Sequence, residues 1–436
     1  MSVVKYPVLF IVTALVCCMF STNAIANTEN GIVDEEAFYD SDILSDIISD
    51  DINSHTPGTN ADQAIAKEKA AALDSGISAK AAILVEALTG RVLYAKNEHT
   101  RLPIASTTKI MTTLLTLESG GMQETGLDEY FKIDENSIKV EGSSMGLLPG
   151  DSITKRGLAY GMLLASGNDS ANAAAVKLAG SLPAFSEMMN RRSREIGMTN
   201  TNFVTPSGLD APEHYSTAYD MALLGREAIK NPDFLSICQQ KTASLEYGNP
   251  PYKRWLKNHN RMLREYTGCF GIKTGFTKKS GRCLVTAAER NGVRLVAVVL
   301  NAPGDWSDSK RLMDYGFSVV KLETIEVDVS DVEVNITGGL LPIIKVEPAQ
   351  ELKAPITERQ KAELTRVVKL RQFYYAPVAA GDILGEVCYY LDGKNGKSRE
   401  LIASAALLAK NSADRKITEI KLSLWEKLGG FFSRLF

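Results

Sequence analysis

Apolar and polar residues alternate and cluster between residues 75 and 322 in a way that predicts both strands and helices. Residues 81–85 (AAILV) form a continuous apolar run typical of a strand buried on both faces, and residues 92–94 form a return strand. Apolar residues recur at helical spacing from Ser106 to Leu117, and a second helical region runs from Lys155 to Gly180. Further helices are predicted at 184–196 and 218–229, and further strands at 271–276, 282–288 and 295–300. This mixture of elements predicts an α+β domain.

Residues 323–416 have a different pattern, with short alternating segments separated by turn residues. Strands are predicted at 325–329, 332–336, 343–346, 367–370, 383–390 and 402–403. We therefore expect a small all-β domain that is separate from the preceding α+β domain.

The chain ends in a segment, residues 417–436, whose apolar residues recur every three or four positions. Aromatic residues Trp425 and Phe432 flank this stripe, and Lys421 and Lys427 lie on the opposite side. This pattern predicts an amphipathic helix suited to the membrane interface. The alternative is a helix that packs against its own protein.

The first residues have the pattern of an export signal. Lys5 precedes an apolar run at 7–20, and Ala24-Ile25-Ala26 is an A-x-A cleavage site. The run is shorter than the ~20 residues that a spanning helix needs, which disfavours a retained membrane anchor. We predict a signal peptide at 1–26, an acidic flexible linker at 27–74, and a mature protein that works outside the cytoplasm.

Charge is unevenly distributed along the 436 residues. The net charge is −3, with 49 Lys and Arg against 52 Asp and Glu. Ten acidic residues and no basic ones lie between residues 27 and 66, which leaves a mildly basic body. The chain therefore lacks the strong basic excess that would indicate a nucleic-acid partner.

The histidines and cysteines predict neither a metal site nor a cofactor. The four histidines are scattered along the chain. We expect four cysteines to be unpaired, although an exported protein could form a bridge: Cys238, Cys269, Cys283 and Cys388.

Three short motifs carry the candidate chemistry. Ser106-x-x-Lys109 begins an apolar helix, so a hydroxyl and an amine lie one turn apart on the same face. A serine becomes a nucleophile when a neighbouring base takes its proton, and a lysine of lowered pKa can be that base. The chain contains four other S-x-x-K matches, so this motif alone is weak. Ser166-x-Asn168 and Lys273-Thr274-Gly275 follow in order, at a helix-helix turn and in a strand.

The ordered motifs resemble those of the penicillin-recognising serine acyltransferases. The surrounding stretches at 102–112, 142–147, 166–169, 214–218, 258–263 and 271–277 are similar to the D-alanyl-D-alanine carboxypeptidase family, the low-molecular-mass penicillin-binding proteins of serine peptidase family S11. The resemblance implies the transpeptidase fold of penicillin-binding proteins and serine β-lactamases over 75–322. It is also consistent with a following β domain and a C-terminal anchor.

The resemblance implies a role for each motif residue. Ser106 would attack the carbonyl between the two D-alanines of a peptidoglycan stem peptide, with Lys109 as general base. Ser166 and Asn168 would pass a proton to the leaving D-alanine. Lys273, Thr274 and Gly275 would bind the substrate, and the backbone N–H groups of Ser106 and Phe276 would form the oxyanion hole. β-Lactam antibiotics are then expected as acylating inhibitors, and the tail is expected to hold the protein on the outer face of the cytoplasmic membrane.

Three other functions share part of this pattern. A serine β-lactamase has the same motifs, but no E-x-x-L-N element lies between Asn168 and Lys273. A DD-endopeptidase or transpeptidase would use the same residues. A non-catalytic wall-binding protein is disfavoured by the intact motifs. We expect His214 and His259 to be structural.

Overall fold

The structure is a computed structural model that describes residues 73–121, 126–371, 373–392 and 399–416. The predicted signal peptide at 1–26, nearly all of the linker at 27–74 and the predicted helix at 417–436 lie outside these residues. Among the described residues, no helix is both long enough and apolar enough to cross a bilayer.

Helices and strands alternate through the first part of the chain, and strands dominate the second. The α-helices are α1 (Lys109–Glu118), α2 (Lys155–Leu163), α3 (Asn168–Ala179), α4 (Leu182–Glu195), α5 (Ala218–Ala228), α6 (Pro232–Cys238), α7 (Met262–Glu265), α8 (Asp305–Val319) and α9 (Glu358–Glu363). The strands are β1 (Ala81–Glu86), β2 (Val92–Lys96), β3 (Phe131–Lys132), β4 (Ser152–Ile153), β5 (Thr242–Gly248), β6 (Pro251–Lys257), β7 (Cys269–Thr277), β8 (Gly281–Arg290), β9 (Val293–Leu300), β10 (Lys321–Ile325), β11 (Glu333–Thr337), β12 (Ile343–Pro348), β13 (Leu352–Ile356), β14 (Thr365–Leu370), β15 (Tyr374–Tyr375), β16 (Ile383–Asp392) and β17 (Arg399–Ala409).

A five-stranded antiparallel sheet in the order β2-β1-β9-β8-β7 is the framework of the first part. Its two faces bury different apolar sets, because successive side chains of a strand point to opposite faces. Ile83 and Val298 pack with the helices on one face, whereas Leu84 and Val299 pack with α8 on the other. This explains why β1 is apolar throughout. β7, which carries the Lys273 motif, is an edge strand.

The helical region predicted at 155–180 consists of two helices, and the Ser166–Asn168 motif lies at the turn between them, where the sequence predicts a helix-helix turn. α2 ends at Leu163 and α3 begins at Asn168. Between them Ser166 has a φ of +58°, in the left-handed region that interrupts a right-handed helix. A Cβ on Gly167 would lie 2.5 Å from Asp169 Oδ1 and from Ser170 Oγ. The break therefore needs a small residue, and it turns the Ser166–Asn168 motif toward α1.

Several elements of the first part of the chain have no counterpart in the sequence prediction. Strands β5 and β6 form a hairpin in a four-stranded sheet of order β3-β4-β5-β6. Helix α8 covers the face of the large sheet that lies opposite α5. The sequence did not predict α8 because charged residues such as Asp308 and Lys310 are interspersed with its apolar residues, and only part of the helix is buried.

The second part of the chain is β-rich, with a six-stranded sheet of order β14-β16-β17-β12-β11-β15 and the pair β10-β13. The strand predicted at 325–329 is wrong, because β10 ends at Ile325, where its pairing with Leu352 ends. A distinct apolar core lies between these sheets. The short helix α9 interrupts the otherwise all-β pattern, and Gln360 on it accepts a hydrogen bond from Arg91 of the first part.

Candidate active site

Ser106 lies in a 3₁₀ turn, Ala105–Thr108, immediately before α1. Thr107 Oγ1 donates to the carbonyl of Ile104 at 2.6 Å and closes the turn. Ala105 has a φ of +47°, which is strained for a residue with a side chain. A Cβ on Gly208 would lie 1.9 Å from the Ala105 carbonyl oxygen, so only glycine allows the 205–209 segment to support this turn.

Lys109 is fully buried and its amine contacts Ser106 directly. Lys109 Nζ lies 2.9 Å from Ser106 Oγ, 2.7 Å from Asn168 Oδ1 and 2.6 Å from the carbonyl oxygen of Ser207. Burial, assisted by the nearby charge of Lys273 and opposed by Asp169, holds the pKa of Lys109 well below its usual value. A neutral amine in this position has a lone pair that can accept the Ser106 proton.

Asn168 has its side chain fixed at both ends. Its Oδ1 accepts from Lys109, and its Nδ2 donates to the carbonyl of Glu141 at 2.7 Å. Its backbone N–H donates to the carbonyl of Ser143 at 2.7 Å. The Lys109 amine donates and the Glu141 carbonyl can only accept, so these two partners fix which end of the Asn168 amide is oxygen and which is nitrogen.

Lys273 is the second buried lysine of the site. It points from β7 toward the break between α2 and α3, where its Nζ lies 3.0 Å from Ser166 Oγ. It also donates to the carbonyl of Thr274 at 2.9 Å. Burial lowers the pKa of Lys273 to about 7. Its protonation, and hence its ability to hold an anion, therefore changes in the neutral range.

Gly275 brings β7 against the turn that carries Ser106. A Cβ at this position would lie 3.0 Å from the Ile104 carbonyl oxygen and 3.1 Å from the backbone nitrogens of Ser106 and Thr107. Any side chain would separate the strand from the turn. Phe276 follows Gly275 in β7 and is 65% exposed.

The structure thus forms two hydrogen-bonded groups from the motif residues, one of Ser106, Lys109 and Asn168 and the other of Ser166 and Lys273, with Gly275 against the turn of Ser106. Sequence reasoning missed the residues that hold these groups from outside the motifs. Ser207 supplies only a carbonyl, for which the sequence carries no signal.

Asp169 is the most connected of the missed residues. Its buried carboxylate accepts from Ser144 Oγ at 2.6 Å and from the backbone N–H groups of Met145, Gly146 and Leu147 at 3.0, 3.2 and 3.1 Å. It fixes the 143–147 loop whose first carbonyl receives the Asn168 N–H. An acidic residue directly after a helix-breaking motif was the available signal.

His214 has the contacts of a structural residue. Its Nδ1 accepts from the backbone N–H groups of Val204 at 2.9 Å and Thr205 at 3.2 Å, so its Nε2 carries the proton and donates to Thr108 Oγ1 at 2.9 Å. Burial lowers the pKa of His214 to about 4, which keeps the ring neutral. The backbone N–H of His259 donates to the Leu164 carbonyl at 3.3 Å, and burial and Lys273 lower its pKa.

Cys238, Cys269, Cys283 and Cys388 are free thiols. Burial raises the pKa of Cys269 and of Cys283 to about 11, which keeps both as unreactive thiols near neutral pH. Within the described ranges, no three His, Cys, Asp or Glu side chains cluster in a way that could hold a metal ion.

Two parts of the chain match known families. Residues 66–304 match the family described as D-alanyl-D-alanine carboxypeptidase, in peptidase family S11. Residues 329–408 match the C-terminal domain of penicillin-binding protein 5. The first match covers the three motifs, and the second covers most of the β-rich part.

Individual relatives agree with these matches. The chain is 31% identical over 360 residues to the D-alanyl-D-alanine carboxypeptidase DacF of Bacillus subtilis, covering 80% of this chain and 90% of that protein. The crystal structure of penicillin-binding protein 5 from Haemophilus influenzae is similar, with 30% identity, a TM-score of 0.59 and coverage of 78% of this chain and 98% of that one. A Streptomyces DD-transpeptidase structure has 31% identity and a TM-score of 0.53, over 56% of this chain and 99% of that one.

Proposed function

The chain belongs to the D-alanyl-D-alanine carboxypeptidase family of serine peptidases, and we propose that Ser106 is the nucleophile with which it removes the terminal D-alanine of peptidoglycan stem peptides. The contact of Lys109 Nζ with Ser106 Oγ at 2.9 Å, made by a fully buried lysine of lowered pKa, is the observation that carries this proposal. We assign catalysis to the domain at 75–322 and a supporting role to the β-rich domain at 323–416.

Acylation begins when Ser106 Oγ attacks the carbonyl carbon of the penultimate D-alanine. Lys109, in its neutral form, takes the hydroxyl proton as the new ester bond forms. The backbone N–H groups of Ser106 and Phe276 stabilise the negative oxygen of the tetrahedral intermediate, at about 3 kcal/mol for each donor. The close approach permitted by Gly275 supports this assignment, because it holds β7 against the Ser106 backbone.

Substrate selection depends on Lys273 and Thr274. A free C-terminal carboxylate is an anion, and Lys273 in its ammonium form would pair with it, with Thr274 beside it. Binding of the anion would raise the pKa of Lys273 above the value of about 7 in the free site, so Lys273 would become protonated as the substrate binds. A peptide without a free C-terminus lacks this interaction.

Release of D-alanine needs a proton on its nitrogen. Ser166 Oγ would donate its proton to the leaving amine and regain one from Lys273, to which it is hydrogen-bonded, and the proton taken by Lys109 keeps the total number of protons in the site unchanged. Asn168, which contacts Lys109, would orient the acyl group. The C–N bond then breaks and leaves an ester on Ser106. Water hydrolyses this ester to regenerate the Ser106 hydroxyl and release the shortened peptide. β-Lactams acylate the same serine, which accounts for penicillin sensitivity.

The location of the enzyme is a further part of this proposal. Residues 1–26 would direct export, and residues 417–436 would lie on the outer face of the cytoplasmic membrane. The sequence patterns of these two segments support this part, and both lie outside the described residues. A version that ends at Lys416 should become soluble, and membrane association without the tail would contradict the anchor.

The activity is tested by incubating the purified protein with a peptide that ends in D-Ala-D-Ala and with a fluorescent penicillin. We expect release of D-alanine and labelling of the wild type, and loss of both in Ser106→Ala. Ser318→Ala is the matched control, because Ser318 begins another S-x-x-K match but lies on the exposed end of α8, where it donates to the Tyr315 carbonyl. Equal activity in Ser106→Ala and the wild type would refute the proposal.

The similarity to a Streptomyces DD-transpeptidase favours transpeptidation as a second candidate. The same acyl-enzyme would be attacked by an amine instead of water. Adding a D-amino acid or glycine as acceptor distinguishes the two, since a transpeptidase forms the exchanged peptide in preference to the hydrolysed one. Rapid turnover of penicillin would instead indicate a β-lactamase.

A further inference from the structure

Large apolar side chains are exposed together on one end of the β-rich domain. We call Leu340, Leu341, Ile343, Phe373 and Tyr375 the 340–375 patch. Tyr375 is 70% exposed and Leu340 is 62% exposed. A group of exposed apolar residues of this size marks an interaction surface in a soluble domain.

The 340–375 patch is contiguous across three strands. Ile343 on β12 pairs with Asn335 on β11, and Thr337 on β11 pairs with Tyr375 on β15. Asn335 and Thr337 are both exposed and separated by the buried Ile336, so these pairs share the outward face of the sheet. The rings of Phe373 and Tyr375 meet edge to face at 5.6 Å.

The loop that carries Leu340 and Leu341 lies beside the same strands. A Cβ on Gly339 would lie 3.5 Å from the Cβ of Ala376, the residue that follows Tyr375. The Ala376 N–H also donates to the Thr337 carbonyl at 3.0 Å. The loop is the turn that joins β11 to β12, and its Leu340 and Leu341 are exposed at the same end of the sheet as Tyr375, which pairs with Thr337 at the end of β11.

The chain leaves the β-rich domain along this surface. The Leu340 N–H donates to the Asp414 carbonyl at 2.8 Å, and the Lys416 N–H donates to the Gly338 carbonyl at 2.8 Å. Residue 417, where the amphipathic sequence begins, directly follows Lys416. The segment proposed to bind the membrane is thus joined to the protein beside the 340–375 patch.

Charge around the patch favours an anionic partner. Four exposed basic residues lie on or next to these elements, namely Arg371, Lys345, Arg415 and Lys416, against three exposed acidic residues, Glu333, Glu347 and Asp414. This combination suits the headgroup region of an anionic bilayer. Leucines insert among the lipids, aromatic rings lie at the interface, and basic side chains attract the anionic headgroups.

We propose that the 340–375 patch is a second membrane-contacting surface, which inserts into the headgroup region of an anionic bilayer beside residues 417–436. This inference rests on the membrane association in the proposed function. Two adjoining contacts bind more tightly than either alone, because the second contact forms without a further loss of translational freedom. Two contacts also restrict the orientation of the β-rich domain relative to the membrane surface, whereas a single flexible attachment would leave the domain free to rotate.

The first test compares binding of the full mature chain to vesicles of phosphatidylglycerol and phosphatidylcholine. Leu340→Ser combined with Leu341→Ser should weaken binding about tenfold, since two leucines lose their transfer from water. Leu88→Ser and Trp255→Ser are matched controls, because Leu88 is 70% and Trp255 is 71% exposed elsewhere on the chain. Both controls should bind as the wild type does.

Each other outcome has a distinct meaning. If the wild type does not bind vesicles, the membrane part of the proposed function fails together with this inference. If the wild type binds and the double variant binds equally well, only the role of the 340–375 patch is refuted. A wild-type dimer in light scattering that the double variant abolishes would assign the patch to a second copy instead. Release of D-alanine from a soluble peptide should be unchanged in every variant.

A second measurement reports insertion directly. Leu341→Trp is made in a Trp425→Phe background, so that the tail contributes no tryptophan signal, and Trp425→Phe alone supplies the background spectrum. We expect a blue shift on adding vesicles and quenching by brominated lipids. Emission that is already blue-shifted without vesicles and unquenched with them would mean that the patch is covered by protein, which overturns the inference.

Discussion

Replacing Gly275 by alanine tests whether the contact between β7 and the Ser106 turn is required for catalysis. The new methyl group would lie 3.0 Å from the Ile104 carbonyl oxygen and 3.1 Å from the Ser106 nitrogen. Carbon contacts in proteins are normally about 3.5 to 4.0 Å. Because all three neighbours are backbone atoms, no side chain can move aside, and the strand must separate from the turn by a few tenths of an ångström.

This displacement would widen the proposed oxyanion hole, because one of its donors, the Ser106 N–H, lies in the turn and the other, the Phe276 N–H, lies in β7. An oxyanion donor contributes about 3 kcal/mol, and a hydrogen bond lengthened from about 2.9 to about 3.3 Å keeps part of that. A loss of about 1 to 2 kcal/mol in the transition state lowers kcat about 5- to 30-fold. Overpacking should also lower the free energy of unfolding by about 1 to 3 kcal/mol.

The assay measures the acylation rate with a fluorescent penicillin and D-alanine release, both per folded molecule. Gly225→Ala is the matched control, because a Cβ there would lie 3.1 to 3.3 Å from side-chain atoms of Val296, Val285 and Ile272 in the core of the same sheet. We expect Gly225→Ala to affect stability only. Wild-type rates in a folded Gly275→Ala protein would refute the argument that β7 must touch the Ser106 turn.

The remaining predictions concern the charged groups of the site. First, kcat/KM should rise on the acid side as Lys109 loses its proton and fall above pH 7 as Lys273 loses its own, because the pKa of free Lys273 is about 7. Lys273→Arg, which stays protonated, should remove the fall, and an unchanged falling limb would contradict the assignment of Lys273. Second, Lys273→Met should raise the melting temperature at pH 6. The pKa of Lys273 is about 7 in the folded protein and 10.5 for an ordinary lysine, so between these two pH values the unfolded wild type binds one more proton than the folded protein. Burial of Lys273 therefore lowers wild-type stability by its full amount below pH 7, and this loss disappears as pH rises toward 10.5. A tenfold change in proton affinity is about 1.4 kcal/mol, which limits the gain to about 5 kcal/mol; equal melting temperatures at pH 6 would contradict it. Third, Asp169→Asn should cost about 2 to 4 kcal/mol of stability, because the amide nitrogen would face N–H donors of the 143–147 loop. Unchanged hydrogen exchange in that loop would contradict the role of Asp169.

Much of the large sheet could be predicted from the sequence, because its strands are unambiguous. The run at 81–85 is apolar at every position, and the structure places it inside a sheet covered on both faces. The turn between α2 and α3 could be placed at the Ser166–Asn168 motif, but the left-handed backbone of Ser166 that makes the interruption follows only from the structure, since apolar spacing continues through Leu164 and Ala165. The strand predicted at 325–329 lies too late in the sequence, because apolar and polar residues keep alternating after Ile325, whereas the pairing of β10 with β13 stops there.

The motifs could be identified from their order, but the groups that hold them could not. The contacts of Lys109 include a backbone carbonyl from Ser207, 98 positions away, which no side-chain pattern marks. Gly275 was noted for close approach, whereas its neighbours at Ile104 and Ser106 follow only from the tertiary structure. The low pKa of both lysines likewise results from burial, which depends on the packed site.

Trapping the covalent intermediate on Ser106 is the most direct test of whether this serine is the nucleophile. The protein is mixed with a peptide ending in D-Ala-D-Ala, quenched in acid during turnover and digested with trypsin. We expect a mass increase on the peptide of residues 102–109 equal to the mass of the substrate minus the mass of free D-alanine, and no such increase in Ser106→Ala. Turnover of the substrate with no acyl group on that peptide, or with the acyl group on another residue, would contradict the assignment of Ser106 as the nucleophile.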